Sequence, residues 1–408
     1  MNLVPYSPEV DTRLFAKVLD YSTQSASYKP LWLSGILAEA IKGKREIEFK
    51  EIACHMISKA WYPITHCKLS FGTQDSLPKI IQSIQEKYNI KPDEKVSVIY
   101  DIVYNIEDKE LTKQINVLYN MVPYRLLSPF YKIGSKENFN KKMKELTRED
   151  KDAFYCFNEN KKGRKTIELG EVWHKYLCDN QVIINAWIEY SLIYFLQKKN
   201  PNVPAIPLKI APPDKRELAE ATKLWKYFGV KRGLNDIYIN KPFTEENINM
   251  YGSLSIDHFI PWSFVLHDEV WNLAPSFKNI NSSKSNALPN LELYMKEFCN
   301  LQYQLFDFIR SDEHEGKQRM MMNKLLEDYV HIMPSDWNNE KAWYQLSSDK
   351  FMDCLSNTIM PLYQIAYNQG YDIWECKERM VYNHVLYQVI TEGIVAEEVG
   401  SIYTKGGK

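Results

Sequence analysis

No two of the seven cysteines (Cys54, Cys67, Cys156, Cys178, Cys299, Cys354 and Cys376) form a C-x-x-C pair. An odd, scattered set of this kind argues against a disulfide framework and against a cysteine zinc knuckle. Glycine is scarce, 15 in 408 residues, and neither a glycine-rich phosphate loop nor a G-x-S-x-G elbow is present. No window approaches 18 consecutive apolar residues, and the N-terminus lacks a basic start followed by an apolar stretch. A soluble, cytoplasmic protein with no membrane partner is therefore expected. An excess of charge of one sign is also missing: Lys plus Arg is 51 against 52 for Asp plus Glu, a net charge of −1. That excludes a chain that coats nucleic acid wholesale, so any polyanion contact must come from local patches. No internal repeat is seen. What is present is a globular composition, 45% hydrophobic and 25% charged, long enough for about two to three domains. Aromatic residues reach 13%, with 27 Tyr and 10 Trp, which predicts large buried side chains.

Helical spacing of Leu31, Leu33, Ile36, Leu37, Ala40 and Ile41 predicts a helix over Tyr28–Lys42, stopped at Gly43. Ile52, Ala53, Met56, Ile57 and Ala60 predict a second over Phe49–Trp61, broken before Pro63. The pair reads as a corner of a helical bundle or, less favoured, as a winged-helix or helix-turn-helix start. Helical patterns continue over Leu77–Gln114, and Val122–Tyr131, with two prolines, reads as an extended connection. The stretch Lys132–Lys175 is basic, with 12 Lys or Arg against 8 Asp or Glu. Its cluster Lys161, Lys162, Arg164 and Lys165 reads either as a solvated loop or as a phosphate-backbone contact. Trp187–Lys198 is an apolar helix, and Asn200–Arg216 carries five prolines in 17 residues, which cannot continue it. A helix over Glu217–Phe228 leads to Lys231 and Arg232, a second candidate nucleic-acid contact. Beyond Leu291 the pattern is helical and acidic. The expected organisation is a helical N-terminal region over 1–199, a proline-rich basic connection over 200–240, a catalytic module over 241–300 and a helical C-terminal region over 301–408.

The module is marked by Ser253–Pro289. Leu254, Ile256, Phe259 and Ile260 predict a short strand ended by Pro261, Val270–Ala274 a second strand, and Ser276–Ser285 a short helix. Asp257 offers a hard carboxylate oxygen and Asn281 a carbonyl oxygen, which suit magnesium or manganese better than zinc. His258 has the chemistry to take a proton from an attacking water, and Lys284 shares a helix face with Asn281. Neighbours on a regular strand point to opposite faces, so Asp257 and His258 face one site only if the strand ends or bends between them.

At these residues the sequence resembles the HNH nucleases of the ββα-metal superfamily and is most similar to the branch containing the HNH domain of the CRISPR RNA-guided DNA nuclease. The likeness lies in DHFIP (Asp257–Pro261), in Asn272 of WNL and in NSSKSNALP (Asn281–Pro289), with intervals of 14 from His258 to Asn272 and 9 from Asn272 to Asn281. It covers about 40 residues. The resemblance implies His258 as general base, Asp257 and Asn281 as ligands of one divalent ion (Mg2+ or Mn2+), Asn272 as the residue that ties down the inter-strand loop and orients the histidine, and Lys284 as a phosphate contact. Many relatives carry His where this chain has Asn281, and zinc-binding cysteines outside the motif. Both are missing here, as in the CRISPR branch, so no structural zinc is expected. An arginine-rich bridge helix and a second nuclease motif are not found, whereas the YKPLWL helix is similar to that of bacterial restriction or phage-defence nucleases.

The fold class expected is mainly α with a small α+β module, helical regions flanking a ββα-metal core. The function expected is hydrolysis of DNA phosphodiester bonds in restriction or anti-phage defence. The alternatives are an RNA-cleaving toxin or a non-cleaving nucleic-acid-binding subunit. One such module cuts one strand, so a homodimer is expected, as is an activating protein or nucleic-acid partner. His267 is expected exposed in the inter-strand loop; His55, His66, His174, His314, His331 and His384 show no ligand spacing, and Met320–Met322 reads as helix core.

Overall fold

A computed structural model describes residues 4–20, 26–135, 137–213, 218–311, 313–334 and 345–377. The chain forms two compact units, Met1–Asp214 and Lys215–Lys408. Among the described residues the fold is mainly α, with three small sheets. Among the described residues, no helix is long and apolar enough to cross a membrane.

The first unit runs α1 (Thr12–Ala16), α2 (Tyr28–Ala40), β1 (Glu46–Glu48), α3 (Phe49–Thr65), α4 (Leu77–Tyr88), α5 (Val96–Tyr104), α6 (Lys109–Val117), α7 (Val122–Leu126), α8 (Phe139–Glu149), β2 (Tyr155–Glu159), β3 (Lys165–Leu169), α9 (Glu171–Asp179) and α10 (Gln181–Lys199). Helix α2 is apolar on almost every side and is correspondingly buried, its Trp32, Leu33 and Ile36 fully so. It packs on α3, where Gly35 lies so close to Ile52 that a Cβ would meet the Ile52 side chain at 2.7 Å. The two helices are also clasped electrostatically. The buried Glu39 carboxylate accepts from Lys42 Nζ at 2.6 Å, Lys44 Nζ at 2.7 Å and His55 Nε2 at 2.7 Å, and these partners hold it well below the usual carboxylate range against the opposing effect of burial.

Several sequence-based expectations are corrected here. Helix α3 starts with a capping box between Glu48 and Glu51 and runs through Pro63 to Thr65, because a proline in the last turn removes one hydrogen bond without preventing the turn. Val122–Leu126 is a helix rather than extended chain: Pro123 occupies the first turn, where its missing N–H has no partner to lose. The basic stretch is a loop only around Lys161–Arg164, an exposed turn in line with the solvated-loop reading of that cluster. It contains α8 and the β2–β3 hairpin, turned at Gly163 with φ +68° and joined by β1 in the order β1-β3-β2. The proline-rich stretch after α10 folds back as a 3₁₀ turn over Ile206–Lys209, burying Val203 and Ile206.

The second unit runs α11 (Ala219–Arg232), α12 (Glu245–Tyr251), β4 (Leu254–His258), α13 (Trp262–Val265), β5 (Leu273–Phe277), α14 (Lys278–Lys284), β6 (Leu288–Pro289), α15 (Leu291–Arg310), α16 (Gly316–Val330), α17 (Ser348–Asn368) and β7 (Ile373–Trp374). Strands β4 and β5 are antiparallel, and β6 and β7 make a short parallel pair. Helix α15 braces the module through the buried Gln302, whose Nε2 donates to Val270 O at 3.2 Å and Leu273 O at 2.6 Å while its Oε1 accepts from Tyr329. Of the methionine run, Met322 is buried and Met320 exposed. Residues 378–408, including His384, and the expected start of α11 at Glu217 lie outside the described residues.

Lys209 gives a testable pH dependence. Its ammonium is fully buried, donates to Pro204 O at 2.7 Å, and is pushed down to about 8 by that burial. Between that value and the ordinary lysine range the unfolded chain binds more protons than the folded one, so stability rises with pH across this window. At about 1.4 kcal/mol for each pH unit between the two values, the gain in the first unit is on the order of 1–3 kcal/mol. Buried thiols such as Cys67, pushed up to about 12, contribute with the opposite sign, so the test is a difference: in urea titrations between pH 7.5 and 10, wild type should gain this amount relative to Lys209→Met.

Candidate active site

The candidate site grows from the register of β4 on β5. Asp257 pairs with Ala274 and His258 with Leu273, and α14 follows β5 directly. The strands lie differently from the expectation. β4 ends at His258, before Pro261, and β5 is displaced to Leu273–Phe277 because Val270–Asn272 forms a 3₁₀ turn. Pro275 is tolerated because a two-stranded sheet has only edge strands. The helix expected over Ser276–Ser285 begins at Lys278.

Asp257, 3% exposed, is held from two sides. The Tyr238 hydroxyl donates to its Oδ2, and the fully buried Lys284 ammonium lies 3.2 Å from Oδ1 and 3.1 Å from Oδ2. The same ammonium donates to the His258 carbonyl at 2.7 Å, tying α14 to the end of β4. Burial pushes Lys284 below the ordinary lysine value, with the Asp257 charge opposing. Tyr238 is positioned by Asp236, whose carboxylate accepts from the Tyr238 and Ile239 amides and, across the module, from Ser276 Oγ and the Phe277 amide at 2.7–3.0 Å. Sequence reading singles out neither Asp236 nor Tyr238; they stand 19 or more residues before the motif, with no periodicity to link them to it.

The ladder runs through His258, so the strand neither ends nor bends before it. Asp257 turns to Tyr238 and Lys284, while His258, 5% exposed, has Nε2 2.7 Å from Asp268 Oδ1. Asp268 is a further partner that sequence reading misses; it lies in the inter-strand loop beside His267 and Glu269. His267, expected exposed, is half-buried against Trp271, and burial lowers its pKa, with the nearby His258 acting in the same direction. Glu269 also pairs with His331 at 2.9 Å. Asn272 is fully buried; its Nδ2 donates to Ile260 O at 2.9 Å and its Oδ1 accepts from the Ile260 amide at 2.8 Å. With the Phe259 amide on Asn272 O at 2.8 Å, this one residue fixes the chain immediately after His258.

Among the described residues, no group of three or more His, Cys, Asp or Glu is arranged to hold a metal ion. The oxygen donors expected from the sequence are Asp257 and Asn281. The Asn281 amide group donates to Ser255 Oγ at 2.9 Å and Ile256 O at 3.1 Å, which anchors the side chain on β4 by its nitrogen and leaves its carbonyl oxygen for another partner. One carboxylate and one amide oxygen, with water and substrate phosphate completing the set, is donor chemistry that fits a magnesium-class ion. The ammonium of Lys284 sits on the same carboxylate and competes for it.

The basic residues expected at a nucleic-acid surface are divided. Lys161, Lys162, Arg164 and Lys165 lie at the β2–β3 hairpin of the first unit, where Lys161 and Lys162 are exposed and Arg164 pairs with Glu48 at 3.0 Å. Lys231 and Arg232 end α11; Arg232 pairs with Glu313, and Lys231 lies over the Tyr227 ring at 6.0 Å.

A two-stranded antiparallel hairpin followed at once by a helix, with Asp-His closing the first strand and Asn on the helix, is the ββα-metal arrangement. Residues 236–290 match a family model described as HNH endonuclease. HNH nucleases generally use divalent metal ions and act on nucleic acid, and the match suggests nuclease activity for this region. The match begins at Asp236, so the Asp236 and Tyr238 contacts fall within the matched region. No curated protein and no solved structure matches the chain.

The Asn272 clamp makes a stability prediction. Asn272→Ala leaves the buried Ile260 N–H and C=O without partners and should destabilise the second unit by about 2–4 kcal/mol. Denaturant titration of the full chain reads this directly; a loss under about 0.5 kcal/mol would mean that the clamp is not formed.

Proposed function

We propose that the protein is a divalent-metal-dependent endonuclease that hydrolyses DNA phosphodiester bonds in the cytoplasm, in restriction or anti-phage defence. The observation that carries this reading is the HNH match over 236–290 on a ββα unit whose strand end supplies Asp257 and His258 and whose helix supplies Asn281 and Lys284. The defence role rests on the resemblance of the N-terminal helix to bacterial restriction and phage-defence nucleases.

In this reading His258 takes the proton of the attacking water as the water oxygen bonds to phosphorus and the P–O bond to the leaving oxygen breaks. Asp268 holds the imidazole in place, as a carboxylate does for a catalytic histidine. Asp257 and Asn281 hold the ion, and Lys284 stands beside the phosphate. A bound magnesium or manganese ion supplies charge stabilisation at the phosphate and leaving oxygens. One module cuts one strand, so double-strand cleavage requires a homodimer or a second nuclease.

A gated form of this reading has its own support. In the free chain the Asp257 carboxylate is engaged by Lys284 and Tyr238, so an activating partner or the substrate itself must rearrange these contacts.

The test is a gel assay on supercoiled plasmid and on labelled RNA, with Mg2+, Mn2+ or EDTA. Wild type should nick DNA only with metal, and His258→Ala should lower the rate by about 10² or more while binding persists. Cleavage of RNA alone would replace the DNA assignment. Equal binding by both proteins with no cutting of either polymer would favour a non-cleaving subunit.

A further inference from the structure

The first unit contains a cleft that the nuclease reading does not use. It has a volume of about 270 Å³, and its wall is formed by Tyr124 and Phe157, whose rings stack at 4.6 Å and 22°. Three cations converge on it from two elements: Lys144 and Arg148, one turn apart on α8, and Lys165 at the start of β3. Nearby acids are engaged elsewhere. Glu145 pairs with Lys142, Glu48 with Arg164, and Glu168 accepts from Asn158. Among the described residues, Lys144, Arg148 and Lys165 have no carboxylate within ion-pair distance. Glu159, the one acid lining the cleft, stands opposite Lys165 in the ladder without pairing with it.

We propose that this cleft binds the phosphate group of a nucleotide unit. Three like charges gathered at one concavity repel one another and are relieved by a polyvalent anion. Arg148 offers the planar fork that suits phosphate oxygens, and Lys144 and Lys165 add point charges. Tyr124 and Phe157 are more than nine-tenths buried, so they supply a low-dielectric wall that strengthens these contacts, and recognition falls on the phosphate rather than on a stacked base. The phosphate is that of a nucleic-acid strand or of a free nucleotide. Only the first source rests on the proposed nuclease function, since the cleft belongs to the unit without the HNH module.

The experiment uses the full chain in EDTA, so that nothing is cut. Fluorescence anisotropy with a labelled DNA oligonucleotide, and calorimetry with AMP and inorganic phosphate, are compared for wild type, Lys144→Glu/Arg148→Glu and a control on the exposed face of α6, Lys109→Glu/Lys113→Glu, which changes the charge equally. Arg148→Gln is a milder fourth variant, and thermal melts confirm folding. The expected result is an affinity loss of about tenfold or more in the cleft variant, a smaller loss in the same direction for Arg148→Gln, and a shallower dependence of log K on log salt by about two phosphate contacts. The α6 control should change affinity by less than about threefold. Binding of AMP that is lost in the cleft variant and competes with DNA assigns the site to a free nucleotide; binding of DNA alone assigns it to a strand. Equal losses in cleft and α6 variants, or no binding of any probe by wild type, would overturn the proposal. Cleft-dependent binding by a protein that fails to nick plasmid would sustain it while removing the nuclease reading.

Discussion

The ammonium of Lys284 is buried against the Asp257 carboxylate and the His258 carbonyl, and the geometry of the ββα unit is built around that contact. Removing two charges from water is expensive, and their attraction offsets the penalty only when the remaining hydrogen-bonding capacity is filled. Here it is filled: Tyr238 donates to the carboxylate, and the lysine reaches a backbone carbonyl on the adjoining residue. The pair therefore fixes the position of α14 against β4. It brings Asn281, one turn earlier on the helix, onto the same strand through Ser255 and Ile256. Asp236 extends the arrangement by tying the segment before the hairpin to the last residues of β5.

The same contacts account for how closed the site is in the free chain. Asp257 and His258 are nearly inaccessible, and both carry partners that a cation or a phosphate would have to displace or share. The Lys284 ammonium compensates the buried Asp257 carboxylate in the free chain, and under the proposed function a divalent ion would have to displace or share that contact. Asn272 plays a different part: its two bonds to Ile260 hold the chain after His258 in one conformation, whatever occupies the site.

Much of this is legible in the sequence. The helical spacing around Leu33 and Ile36, the order strand, loop, strand, helix, and the residues Asp257, His258, Asn272, Asn281 and Lys284 can be read from pattern and motif. The errors have physical causes. Pro63 and Pro123 look like breakers in the sequence, although each occupies a terminal turn that tolerates it. The basic residues from Lys132 to Lys175 hide a helix and a hairpin, because charge describes the solvent face of an element and not the backbone beneath it. Asp236, Tyr238 and Asp268 escape notice because their roles depend on contacts made across 10 to 41 residues of sequence, which no local period encodes. The cleft at Lys144, Arg148 and Lys165 likewise exists only once α8 is laid against the sheet.

The most direct test of this account is the folding stability of Lys284→Met in EDTA and in millimolar Mn2+. Removing the lysine leaves the Asp257 carboxylate buried with Tyr238 alone, so the variant should lose about 3–5 kcal/mol without metal. Mn2+ should restore much of that loss, and should stabilise the variant by more than it stabilises the wild type, because the ion takes the place of the ammonium on Asp257. A variant as stable as wild type in EDTA, or one that gains nothing from Mn2+, would contradict the account.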